Sequence, residues 1–399
     1  MTALLVIIYL AFISLGLPDS VLGSAWPAMR LNLSAPVSLV GYVAMTVSAG
    51  TVISSLFSNR LISRFSTAKV TLVSAAMTAF ALLGYASVKQ AAFLFLCAIP
   101  LGLGAGSVDA ALNSFVALHY KSMHMSWLHC FWGVGATAGP IIMSVFLANP
   151  EGWKRGYLVI AALQFALVFL LLLTRGMWNG KEGALQQEGQ QNKTILTNRA
   201  VLKIPGVKLA LVSFVFFSLT EVTTGLWSSS YLVAVKGVAA TTAARWVAAF
   251  YGGITLGRLL SGFLSIRIDN PWLIRLGQLI CIVGAVILML PLPVGFAALG
   301  LILIGFGTAP IFPAMLHATP LRFGSAASGA IMGLQMAVTY SGGTFGSPLF
   351  GALVSLTTLK LLPYFVLACV LTMFVASEIL NRCMVGGANS EKVLDTGTK

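Results

Sequence analysis

Residues 178–199 read WNGKEGALQQEGQQNKTILTNR. The stretch is rich in Gly, Gln and Asn and too hydrophilic for a lipid bilayer, yet it interrupts a chain that is otherwise almost continuously apolar. Working outward, six apolar runs precede it, at 3–27, 36–58, 69–88, 91–118, 126–148 and 156–175, and six follow, at 207–235, 242–264, 272–290, 294–317, 325–353 and 359–381. A helix needs about 20 mainly apolar residues to cross the hydrocarbon, and these runs have that order of length. Lipid offers backbone groups no water, so helices suit runs this long, and the short alternating segments of a membrane barrel are absent. The sequence therefore predicts an all-α integral membrane protein with twelve transmembrane helices. They fall into a six-helix bundle over 1–176, a cytoplasmic linker over 177–205 and a second six-helix bundle with a short tail over 206–399.

Composition sets the class. Of 399 residues, 58% are hydrophobic and only 9% charged, and the mean hydropathy is +0.93. The net charge of +14 would suggest nucleic acid in a soluble chain; here its distribution encodes orientation. With the N-terminus inside, sixteen of the 24 basic residues fall on the cytoplasmic side, among them Arg60, Arg64, Lys69, Lys121, Lys181, Lys193 and Lys399. Seven fall outside, and Arg258 lies within a run. This positive-inside bias places both termini in the cytoplasm. A multi-pass protein of a cell membrane, of the bacterial inner-membrane type, is expected, monomeric, with lipid and a small solute as partners and no nucleic acid.

The first run lacks the basic flank and cleavage site of a secretory signal and is expected to remain in the mature protein. Cys97, Cys130, Cys281, Cys369 and Cys383 show no paired metal-type spacing and read as packing residues, so no metal or cofactor is expected beyond a coupling ion. A phosphate-cradling G-x-x-x-x-G-K loop and an H-E-x-x-H pair are both absent, which argues against an ATP-driven pump or an enzyme.

The two halves resemble one another. Asp19 and Gly23 match Glu221 and Gly225 with the same spacing, Gly104 and Gly106 match Gly305 and Gly307, and Gly139 and Pro140 resemble Gly346 and Pro348 with a one-residue slip. Three of the ten acidic residues, Asp19, Asp109 and Glu221, lie inside apolar runs. A charge at bilayer depth is expensive, so such a group faces a partner or a water-filled path and marks an ion or solute route. Asp19 follows Pro18, which donates no backbone hydrogen bond and so opens the helix and frees carbonyls near the carboxylate. Asp109 lies one turn before Asn113 on the same helix face, and Gly102, Gly104 and Gly106 permit close helix approach. Asp109, with Asp19, is the candidate ion-coupling group; Asp19, Asn113 and Glu221 are candidates for solute binding.

His129 joins them, since a neutral imidazole both donates and accepts, and Gln335 offers a neutral amide to hydroxyls. Trp26, Trp132 and Trp227 supply flat faces suited to the C–H side of a sugar, although Trp26 and Trp227 read equally as interface anchors. Tyr340 and Gln164 complete the polar set. Glu378, four residues before Arg382, is expected to form a helix-end ion pair outside the site.

Two six-helix repeats around a midplane site resemble the major facilitator superfamily, whose halves rock to expose that site alternately. The loop SNRLISRFSTAK (58–69) resembles the family's Gly-x-x-x-Asp-Arg-x-Gly-Arg gate pattern but lacks its acid and both glycines; GRLLSGFLSIRID (257–269) retains Arg258, Gly262 and Arg267. The resemblance implies a role for Arg258 and Arg267 in closing the cytoplasmic side, against plain snorkelling to the interface. LGLPDSVLGSAWPAM (15–29), LGLGAGSVDAALNSFV (101–116) and WLHCFWGVGATAGP (127–140) look like the fucose permease branch and its sodium-dependent glucose transporter-like relatives. That branch carries acids in its first and fourth helices, which by position are Asp19 and Asp109; the fourth-helix acid is Glu in fucose permease and Asp here. The expected activity is cation-coupled symport of a monosaccharide or similar small polar solute, with proton favoured over sodium. GVGATAGP (133–140) partly resembles an antiporter motif, which leaves proton-coupled drug efflux as the first alternative. A non-transporting solute receptor of the same fold is the second.

Overall fold

A computed structural model describes residues 2–120, 122–149, 151–178 and 198–396. Most of the linker, 179–197, lies outside the described residues, as do Lys121, Lys181, Lys193 and Lys399. The first apolar run forms two helices, α1 (Thr2–Asp19) and α2 (Val21–Asn32). The first half continues with α3 (Leu39–Phe65), α4 (Thr67–Ser87), α5 (Phe93–His119), α6 (Ser122–Phe146) and α7 (Gly152–Leu173). After the short α8 (Asn198–Val201), the second half comprises α9 (Val207–Lys236), α10 (Ala240–Leu264), α11 (Asn270–Met289), α12 (Phe296–Phe323), α13 (Ser325–Leu356) and α14 (Leu362–Thr396).

Among the described residues, eleven helical stretches are long and apolar enough to cross a membrane, α1 and α2 together counting as one. The remaining long helix, α13, has 32 residues and interrupts its apolar sequence with Gln335, Thr339, Tyr340, Ser341 and Ser347. These eleven stretches and α13 give the twelve long helices expected, the first interrupted at Ser20, two residues after Pro18.

Within the first half α1 packs on α6, α3 on α5, and α4 on both α5 and α7; within the second, α12 packs on α10 and α11, and α9 on α13 and α14. Glycines set these close approaches. A Cβ at Gly102 or Gly106 would overlap the α3 backbone at Val47 or Thr51, and one at Gly104 would overlap Ser74 of α4. In the second half Gly305 meets Phe250 of α10 and Gly307 meets Gly277 of α11. Because α10 repeats α3 and α11 repeats α4, Gly305 is the counterpart of Gly102 and Gly307 that of Gly104. The sequence pairing of Gly104 and Gly106 with Gly305 and Gly307 is thus out of register by two residues: spacing alone does not show which neighbour each glycine faces.

The halves join through α2 with α9 and α10, α3 with α13, and α6 with α10. Gly23 lies against the backbone of Leu226, Gly41 against Ser347 and Pro348, and Gly133 against the Thr255 side chain; the Ser229 hydroxyl donates to the Ser24 carbonyl at 3.1 Å. These junctions sit midway along the spans or toward the end away from the linker.

Glu378 has a different close partner from the one expected. Arg275 of α11 donates to it from Nε at 2.5 Å and Nη2 at 2.8 Å, the two-pronged geometry that a planar guanidinium favours. A facing helix supplies this fork, whereas Arg382 lies one turn along the same helix.

Candidate functional site

Asp19 is the last residue of α1. Gly135 and Gly139 of α6 lie directly against α1 at Ile13 and Leu17, and Gly16 lies against Trp132. Of the three glycines of GVGATAGP, Gly133 faces Thr255 of α10, while Gly135 and Gly139 serve contact between α1 and α6. That contact brings the Trp132 side chain to Asp19, and the indole Nε1 donates to Asp19 Oδ2 at 2.8 Å. The Arg258 guanidinium lies 5.1 Å from the Trp132 ring centroid, a cation–π arrangement that gains strength as water is excluded. Arg258 Nη2 in turn is 3.8 Å from Glu221 Oε2. An acid of the first half is thereby linked through a ring and a cation to the matching acid of the second.

The two ends of this chain of contacts differ. Asp19 is hydrogen-bonded yet exposed although it lies midway along its span, so space between the halves reaches it. Glu221 Oε2 is buried and accepts no hydrogen bond; at 3.8 Å its contact with Arg258 is an ion pair too long for one.

Arg258 was expected at a cytoplasmic gate. Instead its long side chain reaches from α10 to Glu221 and Trp132, at the centre between the halves. Arg267 is exposed in the turn after α10, away from this group. Asp109 accepts from Asn113 Nδ2 at 2.9 Å, and Asn113 also donates to the Asp109 carbonyl at 3.0 Å, so the shared face predicted for this pair is occupied by a direct bond. Asp109 lies within electrostatic reach of Asp19 and of Tyr340 on α13. His129 keeps accessible surface, stands edge-on to Phe12 at 6.1 Å and lies within reach of Arg258.

Three expected binding residues lie elsewhere. Trp26 is fully buried, and its Nε1 donates to the Val37 carbonyl at 3.0 Å. Trp227 is also fully buried, packed against Phe350 with ring centroids 5.4 Å apart. Both rings are enclosed by protein, so neither offers a face to a solute. Gln335 is buried in the second half, where it accepts from Thr319 at 3.0 Å and borders a small cavity with Arg322 and Ser213.

Sequence reading missed Tyr251. It lies 6.5 Å from Trp132, edge to face, within reach of both Glu221 and Asp19, and its hydroxyl occupies the space that a Cβ at Gly225 would need. Its spacing of seven from Arg258 puts both on one face of α10, a signal the sequence did contain. Among the described residues no three His, Cys, Asp or Glu side chains gather as metal ligands. The central group instead offers carboxylates, an indole, phenols and a guanidinium, a set able to exchange hydrogen bonds with a hydroxylated solute.

Two helical halves that meet around intramembrane acids define a multi-pass membrane protein. The chain belongs to the Major Facilitator Superfamily, whose family profile matches residues 8–347, a family of transporters and not of enzymes. It is 24% identical over 279 residues to "Bypass of stop codon protein 6" of Saccharomyces cerevisiae, a match over 64% of this chain and 56% of that protein. It is 25% identical over 232 residues to the "Glucose/mannose transporter GlcP" of Bacillus subtilis, over 56% of each. The chain thus spans little more than half the length of these curated relatives. Solved structures of similar fold include the nucleoside transporter NupG, at TM-score 0.76 and 17% identity over 94% of this chain and 98% of that one. A D-xylose-proton symporter matches at TM-score 0.73 and 13% identity over 93% and 97%. At such identities these structures show the fold alone.

Proposed function

We propose that this transporter carries a monosaccharide or similarly small polar solute by cation-coupled symport, with the proton as coupling ion and its two halves rocking about the central site. The observation that carries the reading is the Asp19–Trp132–Arg258–Glu221 linkage. It joins the halves at mid-span and leaves the exposed Asp19 carboxylate accessible to hydroxyl donors. The names of GlcP and of the D-xylose symporter, together with the resemblance to the fucose permease branch, support a sugar. Asp109 is the proposed proton carrier. Its hydrogen-bond partner is the neutral Asn113 amide, whereas Glu221 faces a fixed cation, and a carboxylate without a cation beside it is better suited to change charge during a cycle.

The proposal includes orientation: both termini and residues 177–205 face the cytoplasm of a bacterial inner membrane. Labelling of a cysteine placed at Asn192 from outside intact cells would reverse that orientation.

Proteoliposomes with an imposed proton gradient provide the main test, using a panel of labelled hexoses, pentoses, nucleosides and cationic drugs. We expect gradient-driven accumulation of a sugar. In Asp109→Asn, accumulation is expected to be lost while exchange between equal pools persists, because a proton drives uptake only if its binding shifts the balance of carrier states. Accumulation driven by sodium alone would overturn proton coupling. Extrusion of lipophilic cations would favour the efflux reading, and binding without movement would favour a receptor.

A further inference from the structure

α1 ends at Asp19 and α2 begins at Val21. Pro18 has no N–H, so the Ser14 carbonyl, four residues earlier, loses its helical partner. Ser14 is buried, and a buried carbonyl left bare is strongly disfavoured. Gln164 of α7 supplies what Pro18 lacks: its Nε2 donates to the Ser14 carbonyl at 2.9 Å, and its Oε1 accepts from the Ser14 hydroxyl. The amide is itself 2% exposed, so this two-point clamp is sealed inside the first half. It borders a small cavity whose walls include Pro18.

The two pieces of the first span have different neighbours. α1 packs on α6 and α7 of its own half, while α2 packs most closely on α9 of the other half and also touches α10 and, in its own half, α6. Asp19 stands where α1 gives way to α2.

We propose that Gln164 is a positioning residue for the solute site: by substituting for the missing N–H of Pro18 it holds the break in the first span and fixes where Asp19 meets Trp132. This rests on the reading of Asp19 as a solute-binding acid, but the geometric part can be measured without a solute. Gln164 touches neither solute nor Asp19 and acts through Ser14 and the helix axis. If residue 18 regained an N–H, the Ser14 carbonyl would have its own helical donor and Gln164 would become dispensable.

The test is a cycle of full-length Gln164→Leu, Pro18→Ala and the double variant. Two quantities are read: the rate at which a hydrophobic carbodiimide labels Asp19, followed by mass spectrometry, and D-glucose binding by the purified protein. In the Pro18 background, Gln164→Leu is expected to change the labelling rate at least about threefold and to weaken D-glucose binding about tenfold. In the Pro18→Ala background, adding Gln164→Leu is expected to change either by less than about twofold, since no carbonyl is left stranded. Should Gln164→Leu not fold, Gln164→Met, similar in length and without a donor, takes its place. Equal effects of the Gln164 variant in both backgrounds, or unchanged Asp19 labelling beside a lowered melting temperature, would reduce Gln164 to ordinary packing and overturn the proposal. Wild-type protein that ignores D-glucose while the labelling pattern holds would count against the sugar, not against the positioning role.

Discussion

The first and seventh spans carry matching acids followed four residues later by matching glycines, yet one is broken and the other runs straight through 30 residues. The difference falls on one position. Where the first span has Pro18, the seventh has Thr220, whose main chain continues the helix and whose hydroxyl also donates to the Phe216 carbonyl at 2.8 Å. Asp19 therefore ends a helix, exposed and hydrogen-bonded to Trp132, whereas Glu221 stays within its helix, part-buried beside Arg258 with one oxygen unbonded. Near-symmetric sequence has produced two unlike acids, one preset by the first half and one held only by a distant cation.

The harshest way to break this comparison is to give the seventh span the first span's proline. Thr220→Pro removes both bonds that the Phe216 carbonyl receives from residue 220, and among the described residues no side chain clamps that carbonyl as Gln164 clamps Ser14. A proline inside a helix costs about 3 kcal/mol or more. We expect a large fall in the melting temperature of the purified protein and loss of transport. A variant as stable as wild type would mean that α9 tolerates the break and that the clamp on α1 is unnecessary.

Next come the acids themselves. Asp19→Asn keeps an oxygen for Trp132 but removes the charge that strengthens bonds to solute donors; hydrogen bonds to charged groups contribute about 1.5–3 kcal/mol, so solute binding should weaken roughly 10- to 100-fold. Glu221→Gln gives up a 3.8 Å ion pair in which the carboxylate already faces a fixed cation and its Oε2 is buried, so its effect on solute binding should be the smaller of the two. Direct binding measurements at constant pH compare the two. Equal losses would erase the distinction between a preset and a poised acid.

Much of this arrangement was legible in the sequence. Twelve spans follow from apolar length, and the three acids stand out because charge at bilayer depth is costly wherever it occurs. What escaped was whatever depends on a neighbouring helix. Arg258 lies in GRLLSGFLSIRID, which resembles a gate loop, and only the packing of α6 on α10 shows that it meets Trp132. Tyr251 enters the site because Gly225 leaves room for its hydroxyl. Trp26 and Trp227 sit near the acids in sequence but are fully buried, against the Val37 carbonyl and Phe350, a distinction that depends on neighbouring helices. Pro18 announced a freed carbonyl; that Gln164, 150 residues away, answers it could not be read from spacing.

The matched glycines sharpen the comparison further. A Cβ at Gly23 would press on the backbone of Leu226 at 2.6 Å, which cannot swing aside. At Gly225 it would meet the Tyr251 hydroxyl, the far end of a side chain. Overpacking of rigid surroundings costs about 1–3 kcal/mol, so Gly23→Ala is expected to loosen the junction of α2 with α9. Spin labels at Leu31 and Ala234 should then report a longer distance, while Gly225→Ala leaves it within wild-type spread. An unchanged distance in Gly23→Ala would show that this close approach does not set the spacing of α2 and α9.

The smallest expected effect isolates which part of Thr220 matters. Thr220→Val deletes the hydroxyl and keeps the N–H, the shape and the β-branch. The Phe216 carbonyl retains its helical donor, so no buried polar group is stranded, and a back-bonding hydroxyl adds little to a helix already formed. Stability should change by less than about 0.5 kcal/mol, with binding and transport unaltered. A loss approaching that of Thr220→Pro would locate the straightness of α9 in the side-chain bond. The first span's break would then no longer follow from the N–H that Pro18 lacks, and the case for an outside donor from Gln164 would weaken with it.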